Sequence, residues 1–326
     1  MNHFLQIFIS LAACFLVVLG AHAAPLIFGA AHLGPDGQST LYHIDASTGQ
    51  ATAIGTGIGF ERVSGLAFNP ATGVLYGTGE FPADPVDVNN LITIDINTGV
   101  GTAVGPTGVA GFAGVFSGDP SFPGVFSDLS FRPSDGTLFG FSFPGQWVAT
   151  IDLNTGTATQ LAFESILGDR GIEANDGNGL AFLGSGLLLH AGSEGSIDAG
   201  GTQAPSCAWE CPSALHAIDL DTSLATTLVT LNFPILPGFD NDLDVPRVSG
   251  MDFDSESDLL YASIVYGVGG NRSSFLGTIN PTTGDVELIG TTVLGMDAIA
   301  IVPIPAAAWL FASGLGLLIW IRRTAI

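Results

Sequence analysis

Lysine is absent from this sequence, and 7 arginines face 30 aspartates and glutamates across 326 residues, a formal net charge of −23. Phosphate contacts need cationic side chains, so this balance excludes nucleic acid as a partner. Metal cations, cationic polymers and solubility outside the cell fit it better. Cysteine is scarce as well. Cys14 lies in the N-terminal apolar segment, while Cys207 and Cys211 stand four apart in SCAWEC. In an exported protein that spacing reads as a local disulfide. A metal site there would need more ligands, and only His216 is near. Helical periodicity is missing between the two ends of the chain, which excludes a helical bundle. There is no nucleophile elbow, phosphate loop or zinc motif; Ser64-Gly65 and Ser249-Gly250 lack the flanking pattern. His32, His43, His190 and His216 share no repeat register, which excludes a ring of histidine ligands.

What is abundant is glycine, 45 residues, interleaved with Thr, Val, Ile and Phe. That mixture predicts many short strands joined by tight turns. Five copies of one stretch carry it. The clearest is Leu91–Gly105 (LITIDINTGVGTAVG), and the others begin at Leu41, Val148, Leu215 and Leu276. Each reads as strand, tight turn, strand. The residues closing the first strand are Asp45, Asp95, Asp152, Asp219 and Asn280, separated by 50, 57, 67 and 61 residues. Their side chains are expected to accept hydrogen bonds from turn amides. A second hairpin lies between copies: GLAFNP at Gly65 leading to VLYG, then DLSFRP from Asp128, GLAFLG from Gly179 and GMDFDS from Gly250. Its repeated Phe68, Phe131, Phe182 and Phe253 are expected in the core between repeats.

Four strands per period of this length predict propeller blades. The chain opens on a lone strand of one type, Leu26–Ala31, and returns with a lone strand of the complementary type, Met296–Val302. Joined, they complete a blade and remove two free edges. The expected fold is therefore all-β: a five-bladed β-propeller of four antiparallel strands per blade, with one blade shared by the N- and C-terminal strands. Such blades resemble those of the NHL, YVTN and PQQ-repeat families. The four tryptophans do not recur with the blades, which argues against a quinone-docking propeller.

The two ends read as addresses. Residues 4–20 are an apolar run followed by Ala21-His22-Ala23, a small-x-small cleavage pattern, so residues 1–23 read as a secretory signal helix. Residues 24–302 are then the propeller and 303–326 a tail. In that tail Pro303 and Pro305 precede about 16 apolar or small residues, including Trp309, and the run stops at Arg322-Arg323. This reads as a short membrane helix with a basic stop. Val302-Pro303-x-Pro305, Trp309-Leu310-Phe311, Ser313-Gly314-Leu315 and Arg322-Arg323 together resemble the PEP-CTERM sorting signal, with Ile304 where the signature has Glu. That resemblance implies an exosortase substrate: exported, transiently anchored in the inner membrane, then delivered to the cell surface or beyond, in the setting of exopolysaccharide and biofilm matrix. It specifies sorting, not activity.

Long connections fall on one face and short turns on the other, and binding favours long loops. The densest acidic run among the long loops is Phe239–Asp244, where Asp240, Asp242 and Asp244 alternate. Such carboxylates can supply oxygen ligands to Ca²⁺, or form a solvated loop; the glycine and terminal Glu of an EF-hand are missing. On the innermost strands, Asp252 and Asp297 read as equivalents of Ala67, Ser130 and Ala181. Facing a central channel they are hydrated acids, or a general acid and base for glycoside cleavage. The expectation is an exported binding or matrix propeller, with a hydrolase using these two residues as the alternative.

Overall fold

The structure is a computed structural model. It describes residues 24–31, 38–82, 88–109, 125–143, 147–161, 179–193, 213–221, 224–239, 246–267 and 272–303. Among the described residues, twenty strands form five four-stranded antiparallel sheets. The innermost strand of each sheet is β4 (Glu61–Asn69), β8 (Val125–Phe131), β12 (Leu180–Phe182), β16 (Arg247–Asp254) or β20 (Met296–Val302). The second strands are β1 (Leu26–Ala31), β5 (Val74–Glu80), β9 (Leu138–Phe143), β13 (Leu188–Ser193) and β17 (Leu259–Tyr266). The third are β2 (Thr40–Ile44), β6 (Asn90–Ile94), β10 (Trp147–Ile151), β14 (Ser213–Asp219) and β18 (Ser273–Ile279). The outermost are β3 (Ala51–Ile54), β7 (Gly101–Pro106), β11 (Ala158–Gln160), β15 (Leu224–Thr230) and β19 (Val286–Thr291).

Blade 1 has the order β20-β1-β2-β3, so the expected clasp is present, with Ile27 opposite Ile301 and Phe28 opposite Ala300. Blades 2 to 5 each use four consecutive strands. The propeller is one compact unit over Leu26–Pro303. Its buried apolar residues fall into five clusters, one at each seam between blades. Phe68, Phe131, Phe182 and Phe253 each belong to a different one of four seams. Edge-to-face pairs cross two seams, Tyr76 with Phe131 at 5.7 Å and Phe139 with Phe182 at 5.2 Å.

The repeated turns are Asx turns. Asp45 Oδ1 accepts from the amides of Ser47 (2.8 Å) and Thr48 (3.0 Å), and Asp95, Asp152 and Asn280 do the same for their own turns. Asp219 accepts from Asp221. The hydrogen bonds from Ser47 hold the Asp45 carboxyl below its usual range.

The glycine closing each turn has a second role. Gly55, at the end of β3, lies against the turn of blade 2: a Cβ there would stand 2.0 Å from the Thr98 carbonyl oxygen, and one on Gly99 would stand 2.3 Å from that of Ile54. The same approach recurs between Gly105 and Gly156, between Thr230 and Gly284, and between Gly290 and Gly49. The outer rim is thus held at backbone-to-backbone distance at four of the five seams.

Candidate functional site

At the propeller axis, the blade repeat places a small residue at one level of every innermost strand but one. By their pairing with the second strands, Gly65, Gly250 and Ala298 are equivalent, and Gly179 precedes Leu180 in the same phase. In blade 3 this position is Asp128, which pairs with Phe141. Its side chain is fully buried, at a level where a Cβ on Gly65, Gly179 or Gly250 would meet a neighbouring atom at 3.0, 2.8 or 2.7 Å. Asp128 Oδ2 accepts from the amides of Leu180 (2.8 Å) and Met251 (3.1 Å), and Oδ1 from that of Leu129 (2.9 Å). One carboxyl therefore ties the innermost strands of blades 3, 4 and 5. Burial drives its proton affinity well above the usual carboxylate range, and the three amides oppose that shift.

Asp252 repeats the device two residues further along its own strand. Its Oδ1 accepts from Phe253 (2.8 Å) and its Oδ2 from Ile301 of blade 1 (2.7 Å). At the same level Ser130 Oγ accepts from Phe182 (3.0 Å), joining blades 3 and 4. Burial pushes the Asp252 carboxyl up to about 7. The folded chain then holds a proton between about pH 4 and 7 that the unfolded chain has released, so this group's stabilisation is complete at low pH and is lost as pH rises through that window. The stability of wild type minus that of Asp252→Asn should fall by about 1.4 kcal/mol per pH unit there. Chemical denaturation at several pH values measures it, and a flat difference would remove Asp252 as the proton holder.

The register corrects the expected pairing of Asp252 with Asp297. Asp252 lies opposite Tyr261, and the residue of β20 in the same phase is Ala300, opposite Phe28. Asp297 stands three residues earlier, in the phase of Ser249. A carboxyl that sequence reading passed over, Asp128, is the one that feels Asp252 from another blade, as the smallest contribution to its raised proton affinity. The available signal was its interruption of the Gly65, Gly179, Gly250 series.

Asp240, Asp242 and Asp244, Cys207 and Cys211, and Pro305, Trp309, Arg322 and Arg323 lie outside the described residues. Pro303 is described and directly follows β20. Among the described residues no helix is long and apolar enough to cross a membrane.

A cleft of about 640 Å³ opens between blades 4 and 5, lined by Leu183, Phe253, Asp258, Thr278, Asn280 and Glu287 among others. It lies on the short-turn face, opposite the long connections where binding was expected. Asp258 adopts φ 59° where the equivalent turns use Gly73, Gly136 and Gly186. Aspartate tolerates this left-handed backbone better than most side chains, at some energetic cost.

No protein-family model matches the chain, and no curated protein matches it. Solved structures do. A nidogen/laminin complex is 12% identical, with 85% of this chain and 97% of that chain covered and a TM-score of 0.46. A protein assigned as a gluconolactonase is 16% identical over 85% of this chain and 82% of that chain, TM-score 0.42. The PQQ-bound aldose sugar dehydrogenase of Streptomyces coelicolor is 18% identical over 69% of this chain and 62% of that chain, TM-score 0.38.

Proposed function

We propose that this chain is an exported, exosortase-sorted propeller that acts as a non-catalytic binding or structural component of the exopolysaccharide matrix or cell surface. The observation that favours binding over cleavage is the state of the axial carboxyls. Asp128 and Asp252 spend their oxygens on main-chain amides between blades, which is a structural use. Support for export comes from the apolar run and Ala21-His22-Ala23 at one end and from the proline, tryptophan and arginine pattern at the other. In this reading the secretion machinery and exosortase are the transit partners, the inner membrane holds the tail in passing, and extracellular polysaccharide is the ligand. Asp240, Asp242 and Asp244 are the residues offered to Ca²⁺.

Mixing the secreted protein with its host's exopolysaccharide, with and without Ca²⁺, tests this. Retention on the polymer with no change in polymer length is the expected result, and a triple Asp240, Asp242 and Asp244 to Ala variant should be retained less. Retention unchanged in that variant would remove the acidic loop as the contact. The second reading, hydrolysis with Asp252 as general acid, draws on its raised proton affinity. It requires shortening of the polymer that Asp252→Asn abolishes in a folded protein.

A further inference from the structure

In the second strand of each blade, the residue opposite the Leu, Met or Ile of the innermost strand is Gly29, Gly77, Gly140 or Ala262 in four blades. A Cβ on Gly29 would stand 2.3 Å from Met296 Sδ, and one on Gly140 2.5 Å from Phe126. In blade 4 that position is His190, opposite Leu180. A whole imidazole thus occupies a place where two sister blades cannot admit a methyl group. Its cross-strand neighbour on β14 is a second histidine, His216, with ring centroids 6.3 Å apart. Both are buried, at 1% and 0% exposure.

Packing and hydrogen bonding fix the orientation of both rings. His190 stacks on Phe141 with centroids 3.8 Å apart, and its Nδ1 lies 3.0 Å from the Gly179 carbonyl oxygen. That contact requires Nδ1–H, which leaves a lone pair on Nε2. This Nε2 is buried and has no hydrogen-bond partner among the described residues, an arrangement that needs explanation in a folded protein. His216 Nδ1 faces Thr227 Oγ1 at 3.2 Å. The two rings converge over Gly192: the position of its missing Cβ is 3.0 Å from His190 Nε2 and 3.6 Å from His216 Cδ2, the carbon bonded to Nε2. An imidazole fixed by Nδ1–H to a carbonyl, with its Nε2 left for a second partner, is the preparation seen in metal-ligating histidine.

We propose that His190 and His216 form a buried transition-metal site over Gly192, and that its ion is Cu(I). Imidazole suits copper, zinc, nickel and iron. Among the described residues no group of three or more potential ligands converges. Two nitrogen donors in apolar surroundings satisfy Cu(I), which is stable with two ligands, whereas Zn²⁺ takes four. Thr227 and the Gly179 carbonyl are positioning groups for the two rings.

The test uses the full-length chain in detergent, Cu(I) supplied anaerobically, and a chromogenic Cu(I) chelator as competitor. Wild type should hold one Cu(I) per chain. His190→Phe keeps the stack on Phe141 without a donor and should lower affinity at least a hundredfold. Thr227→Val should lower it about tenfold, in the range typical of outer-shell partners. Gly192→Ala removes no ligand but sets a methyl group 3.0 Å from His190 Nε2, so it should weaken copper binding in a protein that still folds. No stoichiometric copper in wild type, or copper retained at wild-type affinity in His190→Phe, overturns the proposal.

Discussion

Asp128→Ala should be among the most damaging single substitutions in the propeller. It leaves the buried amides of Leu129, Leu180 and Met251 without their acceptor, in three different blades. A buried donor stripped of its partner costs about 1–3 kcal/mol. With relief from relinquishing a buried carboxyl set against three such losses, the expected destabilisation is about 3–5 kcal/mol, near the upper end for single substitutions. Asp128→Asn keeps one acceptor oxygen and should recover part of it. Guanidinium unfolding read by far-UV dichroism measures both. A loss under about 1 kcal/mol for the alanine variant, the size of an ordinary surface change, would mean that the blades do not depend on this contact.

The second large effect is at the outer rim, where Gly55 should behave differently from Gly73, a glycine of nearly the same backbone angle in the β4–β5 turn. Gly55 has φ 69° and Gly73 has φ 72°. Alanine at either position accepts a left-handed conformation at about 1–2 kcal/mol. At Gly73 nothing lies within 4 Å of the added Cβ, so that is the whole cost. At Gly55 the Cβ would stand 2.0 Å from the Thr98 carbonyl oxygen, and the two blades must part to admit it. Forcing such overpacking adds about 1–3 kcal/mol. Gly55→Ala should therefore unfold at a clearly lower denaturant midpoint than Gly73→Ala. Equal midpoints would reduce the rim glycines to turn formers.

These two positions also show how far the sequence can be read. Strand boundaries, the Asx turns and the clasp of Leu26–Ala31 with Met296–Val302 follow from local patterns of alternation and turn chemistry, and the structure agrees with them residue for residue at both clasp strands. Seam contacts depend on what a neighbouring blade presents, and no window along one blade contains that information. The second glycine six residues after the first, as in Gly49 and Gly55 or Gly99 and Gly105, was the visible trace of the rim contact. Asp297 was misplaced because Met296-Asp297 copies the dipeptide Met251-Asp252, whereas strand phase follows the Ala298–Pro303 segment that matches Gly65–Pro70. Asp128 was missed because its carboxyl acts across the axis, on strands 52 and 123 residues away. His190 and His216 share no repeat position, and only the pairing of β13 with β14 brings them side by side.

The clasp also sets an order in time. β1 is the first strand made and β20 the last, and each is the other's neighbour. Hairpins within blades 2 to 5 join strands near in sequence and can form as they are synthesised, whereas closure of blade 1 waits for nearly the whole ring, the slowest kind of contact to establish. Until then the seam clusters on both sides of blade 1 are incomplete, since Ala298 and Ala300 belong to one and Met296, Ile299 and Ile301 to the other. A chain stalled before Met296 is an open arc with a sticky edge rather than a slightly smaller ring.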